Sequence, residues 1–175
     1  MVTAKERYEE LAHRRDPFLQ RARRAAELTL PSLLPPEGHN HTSKLPEPYQ
    51  GLGSRCVVNL SSRLLTALLP PGTTFFKLGV PNKALIESGQ LAAPADVERG
   101  FTLAEKLIQS EIDRANWRAA TNLTLQLLIV TGNALEYLGP DNQIRVYRLD
   151  QYVIERDLTG ATKEIIIRQK IPPEL

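Results

Sequence analysis

The chain holds one cysteine, Cys56, among its 175 residues. No intrachain disulfide can form, and a zinc site built on several thiolates is excluded. Charge of one sign is also missing. Lysine and arginine number 22 against 20 aspartates and glutamates, a formal net charge of +2. That balance gives no bulk field to collect nucleic acid. Long apolar runs are absent too: the longest, Leu123 to Val130, is broken by Thr124 and Gln126. A membrane-spanning helix needs about 20 apolar residues. The opening "MVTAKERYEELAHRRD" has no apolar centre of the kind a secretory signal carries. Glycosylation triplets at Asn40, Asn59 and Asn122 are therefore read as chance. The expectation is a protein made inside the cell, kept reduced and not inserted in a membrane.

Catalytic signatures are equally scarce. "GLGS" at 51–54 lacks the third glycine of a dinucleotide loop and the Gly-Lys-Ser/Thr of a phosphate loop. It follows a proline-rich stretch instead of a strand, so close packing at a helix start is the better account. His39 and His41 flank Asn40, but no third ligand stands near them and His13 is far away. They read as solvated loop histidines. There is no Gly-x-Ser-x-Gly elbow and no His-Glu-x-x-His pair. Cys56 lies on the apolar stripe of its helix, which predicts a buried, inert thiol. Glu136 in "ALEYL" is the one carboxylate set in an apolar run, and strand alternation turns it to solvent. No catalytic residue, metal ligand or cofactor is expected.

What is present is a globular composition, 42% hydrophobic and 24% charged, arranged as helices followed by strands. Residues 1–30 predict two short helices. Thr3 and Glu6 form a capping box for the first, with Ala4, Tyr8, Leu11 and Ala12 on one face. Asp16-Pro17 suits a helix restart, after which Phe18, Leu19, Ala22, Ala25 and Ala26 make an apolar stripe and Arg21 and Arg24 point away. Residues 31–48 hold five prolines and predict an extended connector, which holds the helices against another part of the fold or a neighbouring chain. From Leu52, the residues Leu52, Cys56, Leu60, Leu64 and Leu68 define the apolar side of a helix stopped by Pro70-Pro71-Gly72. Arg55, Asn59, Ser62 and Thr66 define its polar side. "TFFKLGV", 74–80, predicts a strand, and a short helix is expected around 82–88. Pro94 opens a helix with Val97, Phe101, Ala104, Ile108 and Ile112 on one face. Asn116 is placed to cap a further helix from Trp117, apolar nearly all round between Leu123 and Val130 and so buried on several sides.

At "LLIVTGNALEYL" the helical period gives way to strand-like runs. Gly132 stands at that junction, where glycine closes a helix in the left-handed conformation. "ALEYL", "IRVYRL", "YVIERD" and "KEIIIRQKI", some separated by the turn sequences "GPDNQ" and "LTGA", predict an antiparallel β-meander. The fold class is α+β, with the region 49–175 combining helices and meander.

One cluster has the character of an interaction surface: Arg14, Arg15, Arg21, Arg23 and Arg24 fall within eleven residues. Nearby Glu6, Glu9, Glu10, Asp16 and Glu27 offset most of that charge, and with Lys5 and Arg7 counted the segment nets +2. A solvated helix face is the first reading and a protein–protein contact the second.

Three stretches in order, "RYEELAHRRDPFLQRARRAAELTLPSLLP", "PYQGLGSRCVVNLSSRLLTALLPPGTTFFKL" and "LQLLIVTGNALEYL…IRVYRLDQYVIERD", resemble the N-terminal part of the head-to-tail connector, or portal protein, of podovirus-type bacteriophages. No single motif among them is specific; their order and spacing are. The resemblance implies a wing-like region of a longer, non-enzymatic subunit. It implies a homo-oligomeric ring of about twelve copies at one capsid vertex of the virion, made in the host cytoplasm. Double-stranded DNA would be packaged and ejected through the ring. The implied partners are the major capsid protein, a tail or adaptor protein and, transiently, the packaging ATPase, with no membrane. Two other readings stand beside it. One is a small nucleic-acid- or adaptor-binding module using the arginine-rich helices. The other is an enzyme whose site assembles from residues that spacing does not pair.

Overall fold

A computed structural model describes residues 3–40, 42–81 and 95–169. The polypeptide begins with one long helix, α1 (Ala4–Leu28). Its capping box is formed: Glu6 N–H donates to Thr3 Oγ1 (3.3 Å) and Thr3 N–H donates to Glu6 Oε2 (2.8 Å). The expected restart at Asp16-Pro17 does not occur, and Pro17 lies inside the helix. An interior proline removes one backbone bond and costs about 3 kcal/mol. Burial on both sides of it carries the helix through. Tyr8 and Leu11 pack with Val153 before the proline, and Leu19, Ala22 and Ala26 enter the main core after it. Phe18, assigned to the apolar stripe by its spacing, is instead 54% exposed and lies under the Arg21 guanidinium.

The connector starts with a single 3-10 turn, Pro31–Leu33. Leu33 and Leu34 are buried against α1 residues and Leu127, so the proline-rich stretch packs onto its own chain before running out as irregular backbone. Helix α2 (Leu52–Leu68) follows. Its packing face is not the leucine stripe. The buried residues are Val57 and Ser61, while Leu52, Leu60, Leu64 and Leu68 are all exposed, and so is Cys56. Small residues explain the rotation. A Cβ on Gly53 would lie 2.8 Å from the Leu28 carbonyl oxygen, so that side of α2 comes closer than leucines allow. The close approach at Gly53 is the packing expected of "GLGS".

Residues 74–80 form no strand; they have no regular secondary structure and no ladder partner among the described residues. Leu78 N–H donates to Glu105 Oε1 at 2.6 Å, and Phe75 meets Phe76 edge to face, 5.2 Å between centroids. The helix expected around 82–88 lies outside the described residues, as does Pro94.

Helix α3 (Ala95–Arg114) departs from its predicted burial. Ile112 is its one buried residue among those described, whereas Val97 and Ile108 are exposed. The helix packs against α4 (Trp117–Thr131). Asn116 occupies the N-cap of α4 in the left-handed region, φ 55°, and its side chain makes no capping bond. Helix α4 is the centre of the molecule, packed by α1, α2 and the first hairpin. Leu125, Leu127 and Val130 are buried, Leu127 completely. Leu123 and Leu128 nevertheless remain exposed.

The strands pair as two separate antiparallel hairpins in place of one meander. β1 (Leu135–Leu138) pairs with β2 (Ile144–Tyr147), with Leu135 opposite Tyr147. β3 (Tyr152–Arg156) pairs with β4 (Thr162–Ile167), with Tyr152 opposite Ile167. β2 and β3 do not pair; residues 148–151 turn between them, held by Arg148 N–H to Gln151 Oε1 (3.0 Å) and Gln151 N–H to Arg148 O (2.9 Å). The turn buries Leu149 between Tyr147 and Tyr152 in sequence, and all three join the core beneath α1. The architecture is α+β, as the pattern indicates.

Candidate contact surface

The five arginines of α1 separate into different roles. Arg14 is exposed and pairs with Glu10 at 2.6 Å, one helical turn back. Arg21 and Arg24 are exposed. The Arg21 Nε donates to Pro17 O (3.3 Å), and its guanidinium lies 4.9 Å from the Phe18 ring centroid. Arg23 reaches the connector and pairs with Glu37 at 3.3 Å. Arg15 turns inward: its Nη1 donates to Leu149 O (3.0 Å) and Tyr152 O (2.7 Å), satisfying carbonyls at the turn between β2 and β3. It also lies 5.9 Å from the Tyr8 ring centroid. The structure therefore brings Arg15 and Arg23 onto one cleft and leaves Arg21 and Arg24 on the outer face.

Arg7 has a role that sequence spacing does not show. Its guanidinium donates to Glu164 (3.1 Å), to Glu10 (2.7 Å) and to Glu155. Glu155 and Glu164 face one another across the β3–β4 ladder, so a single guanidinium fastens α1 to that hairpin. The carboxylates, Glu164 first, raise the Arg7 pKa above its already high value. Glu10 is correspondingly held below the usual carboxylate range, chiefly by its bond from Arg7. Only the pairing of the strands places two glutamates side by side; neither is marked in the sequence.

Gly132 ends α4 with φ 73°, its N–H donating to Leu128 O at 3.0 Å. Open space surrounds the position where a Cβ would stand. Glu136 is exposed, accepting from Thr124 Oγ1 at 2.6 Å. His39 bonds to Ser43 through Nδ1 (2.8 Å), while His41 lies outside the described residues. Cys56 is exposed on α2, contrary to the buried thiol expected, because the small-residue side of the helix faces the core. Among the described residues no three histidine, cysteine, aspartate or glutamate side chains gather as metal ligands. No described helix is long and apolar enough to cross a membrane.

Residues 2–173 match the model of a family described as bacteriophage head to tail connecting protein. The chain belongs to that family. Its relatives include the portal proteins of Enterobacteria phage T3, 35% identical over 96% of this chain, and of Escherichia phage T7, 33% identical over 96%. The portal protein of Pseudomonas phage phiKMV is 31% identical over 86%. The match covers 32%, 32% and 30% of those relatives' own lengths. The family chain thus spans about a third of the curated relatives it matches, within their N-terminal portion. The arginines of α1, the connector and both hairpins all fall inside the matched region.

Proposed function

We propose that this polypeptide is the wing-like part of a portal subunit, which joins a homo-oligomeric ring of about twelve copies at one vertex of the virion. Double-stranded DNA enters and leaves through that ring, and tail proteins attach to it. The role is structural and non-enzymatic. The observation that carries the reading is the match of nearly the whole chain to proteins named portal protein at 31–35% identity. The fold adds support. Leu60, Leu64 and Leu68 form an apolar strip on α2 that nothing in the described fold covers. Closed rings are made by heterologous contacts between different faces of identical subunits, and a second copy of this chain is the occupant such a strip fits. The major capsid protein, a tail or adaptor protein and, transiently, a packaging ATPase complete the proposed partners.

The nucleic-acid module fits the geometry less well. Arg14 and Arg23 are each paired with a carboxylate. A phosphate-binding surface needs those cations free. Electron microscopy and mass measurement of the full-length protein test the proposal. A closed ring near twelvefold symmetry is the expected result, and a strictly monomeric full-length protein overturns it.

A further inference from the structure

A cleft of about 1670 Å³ opens between α1, the connector and the turn that joins β2 to β3. Four arginines line it: Arg15, Arg23, Arg148 and Arg168. Two are neutralised in place, Arg23 by Glu37 and Arg148 by Asp150. Arg15 and Arg168 have no carboxylate partner among the described residues; Arg15 gives Nη1 to the Leu149 and Tyr152 carbonyls, and its Nε makes no bond there. Both instead approach the same aromatic ring, Tyr8, at 5.9 and 5.2 Å from its centroid. Two like charges converging on one ring repel each other, and the attraction of an arene for a cation is modest at a solvated site. An anion between them would relieve that repulsion. A further sign of unmet demand is that the Nε atoms of Arg15 and Arg23 are buried with no hydrogen-bond partner among the described residues. Buried donors are paired in most folded proteins.

We propose that this cleft receives an acidic side chain, aspartate or glutamate, from a partner protein chain, with Arg15 and Arg168 as the recognising cations. The proposal rests on the portal reading only in taking the partner to be a protein. A guanidinium presents a planar fork that matches a carboxylate. Three carboxylates also line the cleft, Asp16, Glu37 and Asp150. They oppose a run of phosphates, whereas one carboxylate seated between Arg15 and Arg168 meets positive charge locally. Duplex DNA is therefore the poorer occupant. Arg168 is suited to capture because its structural duty belongs to its backbone, whose N–H donates to Gln151 O at 2.7 Å. Its side chain is exposed.

The test is a titration of the isotopically labelled chain at constant ionic strength, following the arginine Nε–Hε resonances. The probes are the capped peptide Gly-Glu-Gly, its Gly-Gln-Gly counterpart, inorganic phosphate and a short DNA duplex. The expected result is a saturable shift at Arg15 and Arg168 with the glutamate peptide and none with the glutamine peptide. Arg168→Gln should weaken that binding on the order of tenfold, the size of one lost charge-assisted fork. Arg168→Lys should fall between, and Arg24→Gln should leave it unchanged. Shifts spread equally over Arg14, Arg21 and Arg24, a stronger response to phosphate or DNA, or no saturable shift overturns the proposal. None of these outcomes depends on ring formation, so a failed cleft and a failed portal reading are told apart.

Discussion

Arg7 and Glu164, 157 positions apart in the chain, meet at 3.1 Å. The same guanidinium also reaches Glu155 and Glu10, so it is the polar fastening between α1 and the second hairpin. Removing it leaves Glu155 and Glu164 facing each other across the ladder without a counter-ion, and like charges directly opposite are destabilising. Arg7→Met should therefore lower the unfolding midpoint and raise amide exchange in β3 and β4 more than in α4. Hydrogen exchange resolved by segment checks this. Equal loosening everywhere would contradict the fastening role.

The same network sets an acid limb. The Glu10 carboxyl titrates below its ordinary value in the folded chain, mainly because Arg7 bonds to it, and Glu6 is lowered by the Thr3 backbone N–H. A lowered folded pKa means the stabilisation is complete above the unfolded value, about 4.3. It is lost as pH falls through the lower, folded value. Unfolding followed from pH 6 downward should show stability falling below about pH 4. The Arg7→Met variant should show a shallower fall, since it has less to lose.

Gly53 and Gly100 both lie in helices, yet alanine should act on them with opposite signs. At Gly100 a Cβ meets nothing within 4 Å. Gly100→Ala should stabilise by about 0.5–1 kcal/mol, the helix-propensity difference. At Gly53 the added carbon would sit 2.8 Å from the Leu28 carbonyl oxygen and 3.1 Å from Thr29 Cγ2. Backbone must shift to admit it, so Gly53→Ala should destabilise by about 1–3 kcal/mol. Urea denaturation of both variants distinguishes the cases.

Gly132 presents conformational strain without steric conflict. Its φ of 73° suits glycine, and no atom lies within 4 Å of the missing Cβ. Gly132→Ala should cost about 1 kcal/mol from backbone conformation alone. Gly132→Val should cost more, because a branched residue tolerates that region poorly. Gly132→Asn should be the mildest, since asparagine visits it most readily. Equilibrium unfolding gives the order.

Arg21 and Arg24 lie outside the cleft and outside the core. Their replacement by glutamate should leave the circular dichroism spectrum and thermal midpoint nearly unchanged, since exposed charges contribute little to folding. Under the proposal that this face meets another protein, particle assembly should fall, because charge reversal breaks electrostatic complementarity across an interface. The unaltered chain should bind duplex DNA weakly at physiological salt. Tight, salt-sensitive DNA binding lost in the double variant would move this face from protein contact to nucleic-acid contact.

The sequence by itself determined the fold class and most helix positions. Thr3 and Glu6 settle the start of α1 because a capping box is local chemistry, complete within four residues. The proline pair after Leu69 ends α2, and turn sequences separate strands, for the same reason. Tertiary structure decided which faces are buried. Cys56, Leu60 and Leu64 have a core-like period but face outward. Periodicity reports that a helix has an apolar side, whereas closeness of approach, here set by Gly53, Val57 and Ser61, selects the side that packs. Pro17 stays helical because Leu11 and Leu19, either side of it, are buried on one continuous face, a gain that local propensity cannot register. The strands divide into two hairpins at the turn whose Leu149 joins the core with Tyr147 and Tyr152. The cleft arginines become distinct from Arg21 and Arg24 only when α1, the connector and β4 come together. Charge in the sequence fixes how many cations there are, and folding fixes which of them already have a partner.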